Sequence, residues 1–127
     1  MIPVVTPDEM AAIDRAAPEP VDVLIRRAGA ATARAALRLM GGAYGRRVAV
    51  LAGPGNNGND GRDAARRLRA RGARVVIHDL TALPDRIDGV DLVVDAALGT
   101  GARHGLRAPE VANGIPVLAV DLPSGVD

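Results

Sequence analysis

Three short apolar runs in this chain end in the same manner. Val48-Ala49-Val50-Leu51-Ala52 leads into a glycine-rich loop, Leu92-Val93-Val94 ends at Asp95, and Pro116-Val117-Leu118-Ala119-Val120 ends at Asp121. Runs of this length with no polar alternation are strands covered on both faces, and strands of that kind belong to parallel sheets. Arg74-Val75-Val76-Ile77-His78 supplies a fourth strand, after a helical stretch from Gly61 to Arg71 and a turn at Gly72. Strands alternating with helices specify right-handed βαβ units, so the expected class is α/β with an open parallel sheet. Leu106 to Asn113 carries only a weaker helical pattern.

Two helices should precede the sheet. Thr6-Pro7-Asp8-Glu9 reads as a capping box with Pro at the first helical position, opening a short helix to about Ala17. Pro18 and Pro20 interrupt it. Val21, Leu24, Ile25, Ala28, Thr32, Ala35, Ala36 and Leu39 then recur at helical spacing, with the Arg residues mostly on the wet face, until Gly41-Gly42 supplies a left-handed stop.

Composition narrows the chemistry. At 127 residues there is room for one domain or part of one, and 48% hydrophobic against 24% charged residues is the balance of a globular chain. A net charge of +1 gives no bulk field toward nucleic acid or a membrane surface. The chain has no Cys and no Lys, which removes thiolate, disulfide, Schiff-base and P-loop lysine chemistry. Its single aromatic residue, Tyr44, removes base-stacking platforms. Asp8, Glu9, Asp14 and Glu19 stand where a signal peptide needs an apolar core, and no stretch has transmembrane length, so a cytoplasmic location is expected.

In a doubly wound sheet, ligands sit beyond the carboxyl ends of the strands. Three polar loops stand there: Gly53 to Gly61, Asp95 to Gly101, and Asp121 to Gly125. The first matches G-x-G-x-x-G at Gly53, Gly55 and Gly58 and opens a helix, with Asp79 about 20 residues on, as in a dinucleotide-binding fingerprint. Asn56, Asn57, Asn59 and Asp60 add hydrogen-bonding groups and hard oxygen donors suited to a cation as well as to a phosphate. A turn whose Asn residues cap the next helix is the plainer reading. The second loop frees backbone at Gly99 and Gly101 around Thr100, with Arg103 and His104 in reach of a phosphate or merely exposed. In the third, Ser124 lacks a nucleophile elbow, which rules out a serine hydrolase. Asp95 and Asp121 end strands expected to be neighbours, so two carboxylates and Asn57 can share one crevice. There they would bind a cation or raise one carboxyl into a range useful for proton transfer.

With all three loops in order, the chain resembles the NAD(P)H-hydrate epimerase family (YjeF N-terminal domains), whose motifs look like G-P-G-N-N-G-G-D-G, D-x-L-x-G-T-G and D-x-P-S-G. Thr6 to Arg15 and Val23 to Ala36, including Arg27-Ala28-Gly29, are similar to the family's leading helices. The resemblance implies a Rossmann-like three-layer α/β domain over residues 1–127, with a parallel sheet preceded by two N-terminal helices. It implies isomerase activity that interconverts the R and S epimers of NADHX and NADPHX, so that a dehydratase partner can restore the cofactors, and a potassium ion. Carried over residue by residue, Asn57, Asp95 and Ser124 would ligate potassium. Asn56, Asn57, Gly58, Asn59, Asp60, Gly99, Thr100, Gly101, Ala102, Arg103, His104, Gly105 and Asp121 would contact the substrate, with Asp121 as the proton-transferring catalytic group. A homodimer accords with the family's habit.

Asn59 stands where the family has glycine, adding a side chain at a position where the backbone could need to be left-handed. The family's domain also continues past its third motif, so these residues are expected to hold it incompletely, with an unpaired edge after a fourth strand. Two other readings compete. A non-catalytic scaffold of the same family would keep the fold without turnover, and a dinucleotide-binding half of a dehydrogenase would bind NAD without potassium.

Overall fold

Val21–Met40 forms the long helix that the apolar spacing predicts (α1), in a computed structural model that describes residues 2–3, 21–97 and 107–120. Its inner stripe is almost all alanine: Ala28, Ala31, Ala35 and Ala36 are buried, with Thr32 among them. Small side chains let the next helix, α2 (Gly55–Ala70), lie close against it. Arg34 and Arg38 face solvent as expected, but so does Leu39, 41% exposed, which the spacing had placed on the inner face. The expected helix from Thr6 to Ala17 lies outside the described residues.

The main sheet is parallel throughout. Its strands are β1 (Ile2–Pro3), β2 (Arg47–Ala52), β3 (Arg74–Asp79), β5 (Leu92–Ala96) and β7 (Val117–Ala119), in the order β1-β7-β5-β2-β3. The four predicted strands are all present, and β5 runs past its expected end to include Asp95 and Ala96. A fifth strand was not foreseen: Ile2 and Pro3 pair with Leu118 and Ala119, so the outer side of β7 is partly covered. Arg86–Ile87 (β4) and Glu110–Val111 (β6) form a separate parallel pair, and β6 occupies part of the span read as weakly helical.

Strand alternation divides the core in two. Val48, Val50, Leu92, Val94, Ala96, Leu118 and Val120 face α1 and α2. Ala49, Leu51, Val93 and Ala97 face the other way, where Ile87 and Val111 of the β4–β6 pair and Leu80, Leu83 and Ile115 cover them. Among the described residues the second layer of cover is therefore a short ribbon with loops, and both helices lie on one side.

The largest departure from expectation is the start of α2. The sequence reading has a loop as far as Gly61, but the helix begins at Gly55 and takes in Asn56 through Asp60. Poor intrinsic propensity at Gly58, Asn59 and Gly61 is overridden by packing. A Cβ at Gly58 would run into the Gly53 carbonyl, and one at Gly61 would come within 2.6 Å of Ala96 Cβ. Glycine is what allows this helix to sit down on the loop and on β5.

Candidate functional site at the strand ends

The chain leaves β2 toward β3 on one side and returns to β5 on the other, so the topological switch point lies between β2 and β5. In open α/β sheets, ligands bind beyond the carboxyl ends of the strands at such a point. Leu51 pairs with Asp95 there, and Gly53 N–H donates to the Ala96 carbonyl at 3.2 Å. On the other side of β5, Asp95 pairs with Ala119 and its carbonyl accepts from Val120 N–H at 2.9 Å. The three strands that lead into the three motifs are thus adjacent, in the order β7-β5-β2.

Residues of the first motif are helical rather than looped. Pro54 in the N-cap position offers no side-chain cap to the N–H groups that follow. Asn56 and Asn57 are half-buried and Asn59 is exposed. No residue other than glycine has positive φ among those described, so the side chain of Asn59 is accommodated by an ordinary helical backbone and solvent. Two side-chain oxygens in this turn stand out, because Asn57 Oδ1 and Asp60 Oδ1 are buried with no hydrogen-bond partner among the described residues. They are three residues apart on one helix and so share a face.

Asp60 is fully buried. Its other oxygen, Oδ2, lies 3.2 Å from Thr32 Oγ1 on α1. Burial pushes its carboxyl up to about 7, against the opposing pull of the Thr32 hydrogen bond. Asp95 is also buried, and its Oδ1 accepts from Ala97 N–H at 3.0 Å. Alternation along β5 puts Asp95 on the opposite side of the strand from Val94 and Ala96, which face the helices. Asp60 and Asp95 therefore flank the strand end from different layers.

Thr32 and Asp63 are two residues that sequence reasoning missed. Thr32 was counted only as a position on the apolar stripe; a hydroxyl among buried alanines needs a partner, and that was the available signal. Asp63 is 4% exposed on α2, held by Arg67 Nε at 2.8 Å and by Arg66. Gly99, Thr100, Gly101, Ala102, Arg103, His104, Gly105, Asp121 and Ser124 lie outside the described residues. Among the described residues, no three His, Cys, Asp or Glu side chains gather as a metal cluster.

The dinucleotide fingerprint fares differently. Asp79 accepts from Thr81 N–H at 3.0 Å, Thr81 Oγ1 at 2.8 Å and Arg62 Nη2 at 3.1 Å. Those Thr81 bonds and then Arg62 hold its carboxyl below the usual range. The acid that the glycine spacing would offer to a ribose is engaged within the chain.

A parallel sheet with a glycine-rich helix start and buried carboxylates at its switch point defines a Rossmann-like α/β ligand-binding domain. The chain belongs to the YjeF-related protein N-terminus family, which matches residues 21–87. It is 35% identical to the NAD(P)H-hydrate epimerase of Rhodobacter capsulatus over 168 aligned positions, covering 100% of this chain and 79% of that protein. It is 34% identical to the bifunctional NAD(P)H-hydrate repair enzyme Nnr of Thermofilum pendens over 93% of this chain, and 36% identical to that of Mycobacterium leprae over 85%. The chain spans only 30% and 29% of those two proteins. The crystal structure of yeast ynu0, YNL200c, superposes with a TM-score of 0.62 at 26% identity, covering 95% of this chain and 70% of that one. The Rhodobacter alignment has more positions than this chain has residues, so that relative carries segments inside the match for which this chain has no counterpart. No helix among the described residues is long and apolar enough to cross a membrane.

Proposed function

We propose that this chain epimerises the R and S forms of hydrated NADH and NADPH, allowing a stereospecific dehydratase to restore both cofactors. One observation carries the reading: Asn57 Oδ1 and Asp60 Oδ1 are buried without partners among the described residues, at the switch point of a chain from this family. An unsatisfied buried acceptor costs about 1–3 kcal/mol. Two of them on one helix face support a ligand that completes them. The relatives' names, epimerase and bifunctional repair enzyme, supply the chemistry and point to the dehydratase as functional partner.

Potassium fits the donors present. Asn57 offers a neutral amide oxygen, buried and unpartnered among the described residues, and Asp95 offers a buried carboxylate on the next strand; with the Ser124 hydroxyl they would be hard oxygen ligands. When bound, the ion would supply a fixed positive charge to the site. The N–H groups at the start of α2 favour an anionic group of the cofactor. Asn56, Gly58, Asn59 and Asp60, with the segment Gly99 to Gly105, border the substrate. Asp121 is assigned the proton transfer at the altered ring, a role that needs a carboxylate within hydrogen-bond reach. Residues 1–127 belong to a domain of YjeF N-terminal type, and a cytoplasmic site of action accords with a soluble substrate.

The test is a coupled assay. Pure R-NADHX is mixed with the protein and a dehydratase that acts only on the S form. Recovery of NADH is expected, and no recovery from a folded sample overturns the reading.

A further inference from the structure

Thr32 Oγ1 lies 2.8 Å from the Ala28 carbonyl and 3.2 Å from Asp60 Oδ2. Both contacts are buried, and both residues are 0% exposed. A hydroxyl has one proton and two lone pairs, so it can donate to only one of these oxygens at a time. When Asp60 is ionised, the proton belongs to Oδ2; when Asp60 is neutral, the hydroxyl returns it to Ala28 and accepts from the carboxyl O–H. Either way the same contact persists and Oδ2 stays fixed. The remaining oxygen, Oδ1, is left buried and without a partner among the described residues, on the helix face that also carries Asn57 Oδ1.

We propose that Thr32 is a positioning residue, whose hydroxyl anchors Asp60 Oδ2 so that Oδ1 is presented to a hydroxyl or amide donor of the bound cofactor. This deepens the epimerase reading and rests on it for the identity of the ligand. Thr32 is suited to the task because it lies on a different helix from its client. The anchor reaches Asp60 across the α1–α2 contact, and the alanine stripe around it leaves no other polar side chain among the described inner-face residues of α1. Asp63, one turn further along α2, is taken up by Arg66 and Arg67 and does not compete for the hydroxyl.

The variants are Thr32→Val, which keeps the shape and removes the hydroxyl, and Thr32→Ser, which keeps the hydroxyl. In the coupled assay with R-NADHX, Thr32→Val should raise KM by roughly tenfold to a hundredfold, the worth of a hydrogen bond to a charged or strongly polarised group, while Thr32→Ser restores most of the affinity. A second readout needs no turnover. The infrared band of a protonated side-chain carboxyl, assigned by its loss in Asp60→Asn, should titrate at higher pH in Thr32→Val than in wild type, because the hydroxyl is a donor to the ionised form. If wild type shows no epimerisation, the functional reading fails, and the infrared titration still decides whether Thr32 holds Asp60. A Thr32→Val protein with a lowered thermal midpoint but wild-type KM and an unshifted carboxyl band would reduce Thr32 to packing and overturn the proposal.

Discussion

The Arg62 guanidinium ties the start of α2 to two strand ends: Nη1 donates to the Gly53 carbonyl at 3.0 Å and Nη2 to Asp79 Oδ2 at 3.1 Å. Gly53 follows β2 and Asp79 ends β3, so one side chain bridges the two strand ends and engages the acid that a conventional dinucleotide would use for its ribose. The glycine spacing alone could not reveal this, because Arg62 lies outside the fingerprint.

It follows that Asp79 is dispensable for the ligand. Asp79→Ala should leave kcat/KM for hydrated NADH within about a factor of two of wild type, the usual range for an exposed substitution away from a site. Steady-state kinetics in the coupled assay decide it. A loss of an order of magnitude would place a ribose on Asp79 and restore the dehydrogenase-like reading of the loop.

Asp60 makes the folded state sensitive to pH. An unfolded Asp titrates near 3.9, whereas burial pushes Asp60 up to about 7. Between those values the folded chain keeps a proton that the unfolded chain has released, so this stability is fully present below about pH 4 and is lost as the pH rises toward 7. The slope is at most about 1.4 kcal/mol per pH unit, on the order of 4 kcal/mol over the whole window. Asp60→Asn should flatten that decline. Denaturant unfolding at a series of pH values measures it, and an unaltered slope in the variant assigns the proton elsewhere.

What the sequence made legible was where the longer strands lie. Uninterrupted apolar runs located β2, β3, β5 and β7, and the residue after each run pointed to the candidate site. Where α2 begins was hidden, because Gly58 and Gly61 are poor helix formers whose value lies in contacts with Gly53 and Ala96 that are remote or unpredictable along the chain. Asp60 was legible as a polar group, but its burial was not: read in a loop it would be solvated, and only the helical start turns it toward Thr32 on α1. β1 and the β4–β6 pair are two residues long and carry no periodicity to detect.

Gly29 offers a test of the contact between the helices. A Cβ there would collide with Asp63 Oδ2 and lie 2.9 Å from the Asp63 Cβ and Cγ atoms. Asp63 cannot swing aside without releasing Arg66 and Arg67. Gly29→Ala should therefore destabilise by about 1–3 kcal/mol, the usual cost of overpacking. In an Asp63→Ala background the same change should cost less, since the obstructing carboxylate is gone and only the contact with the Cβ atom remains. Thermal or denaturant unfolding of the four proteins gives the coupling energy; additive effects would mean that the helices part freely at this point.

Asn57 permits a test of the cation whose sign is unusual. Most substitutions of a buried residue destabilise, but Asn57 Oδ1 is a buried acceptor with no partner among the described residues, and removing it relieves a desolvation cost of about 1–3 kcal/mol. Asn57→Ala should accordingly be as stable as wild type, or more stable, in sodium chloride. In potassium chloride at the same ionic strength the order should reverse. Wild type gains RT ln(1 + [K]/Kd), about 2.7 kcal/mol at a hundred times Kd, and the variant, lacking a ligand, gains little. Thermal midpoints of both proteins in the two salts provide the comparison. Asp95→Asn serves as a second variant that weakens the potassium gain through the neighbouring strand. If Asn57→Ala is the less stable protein in sodium chloride, its oxygen has a structural partner and the cation site loses its first ligand; if potassium and sodium stabilise wild type equally, the site does not select potassium.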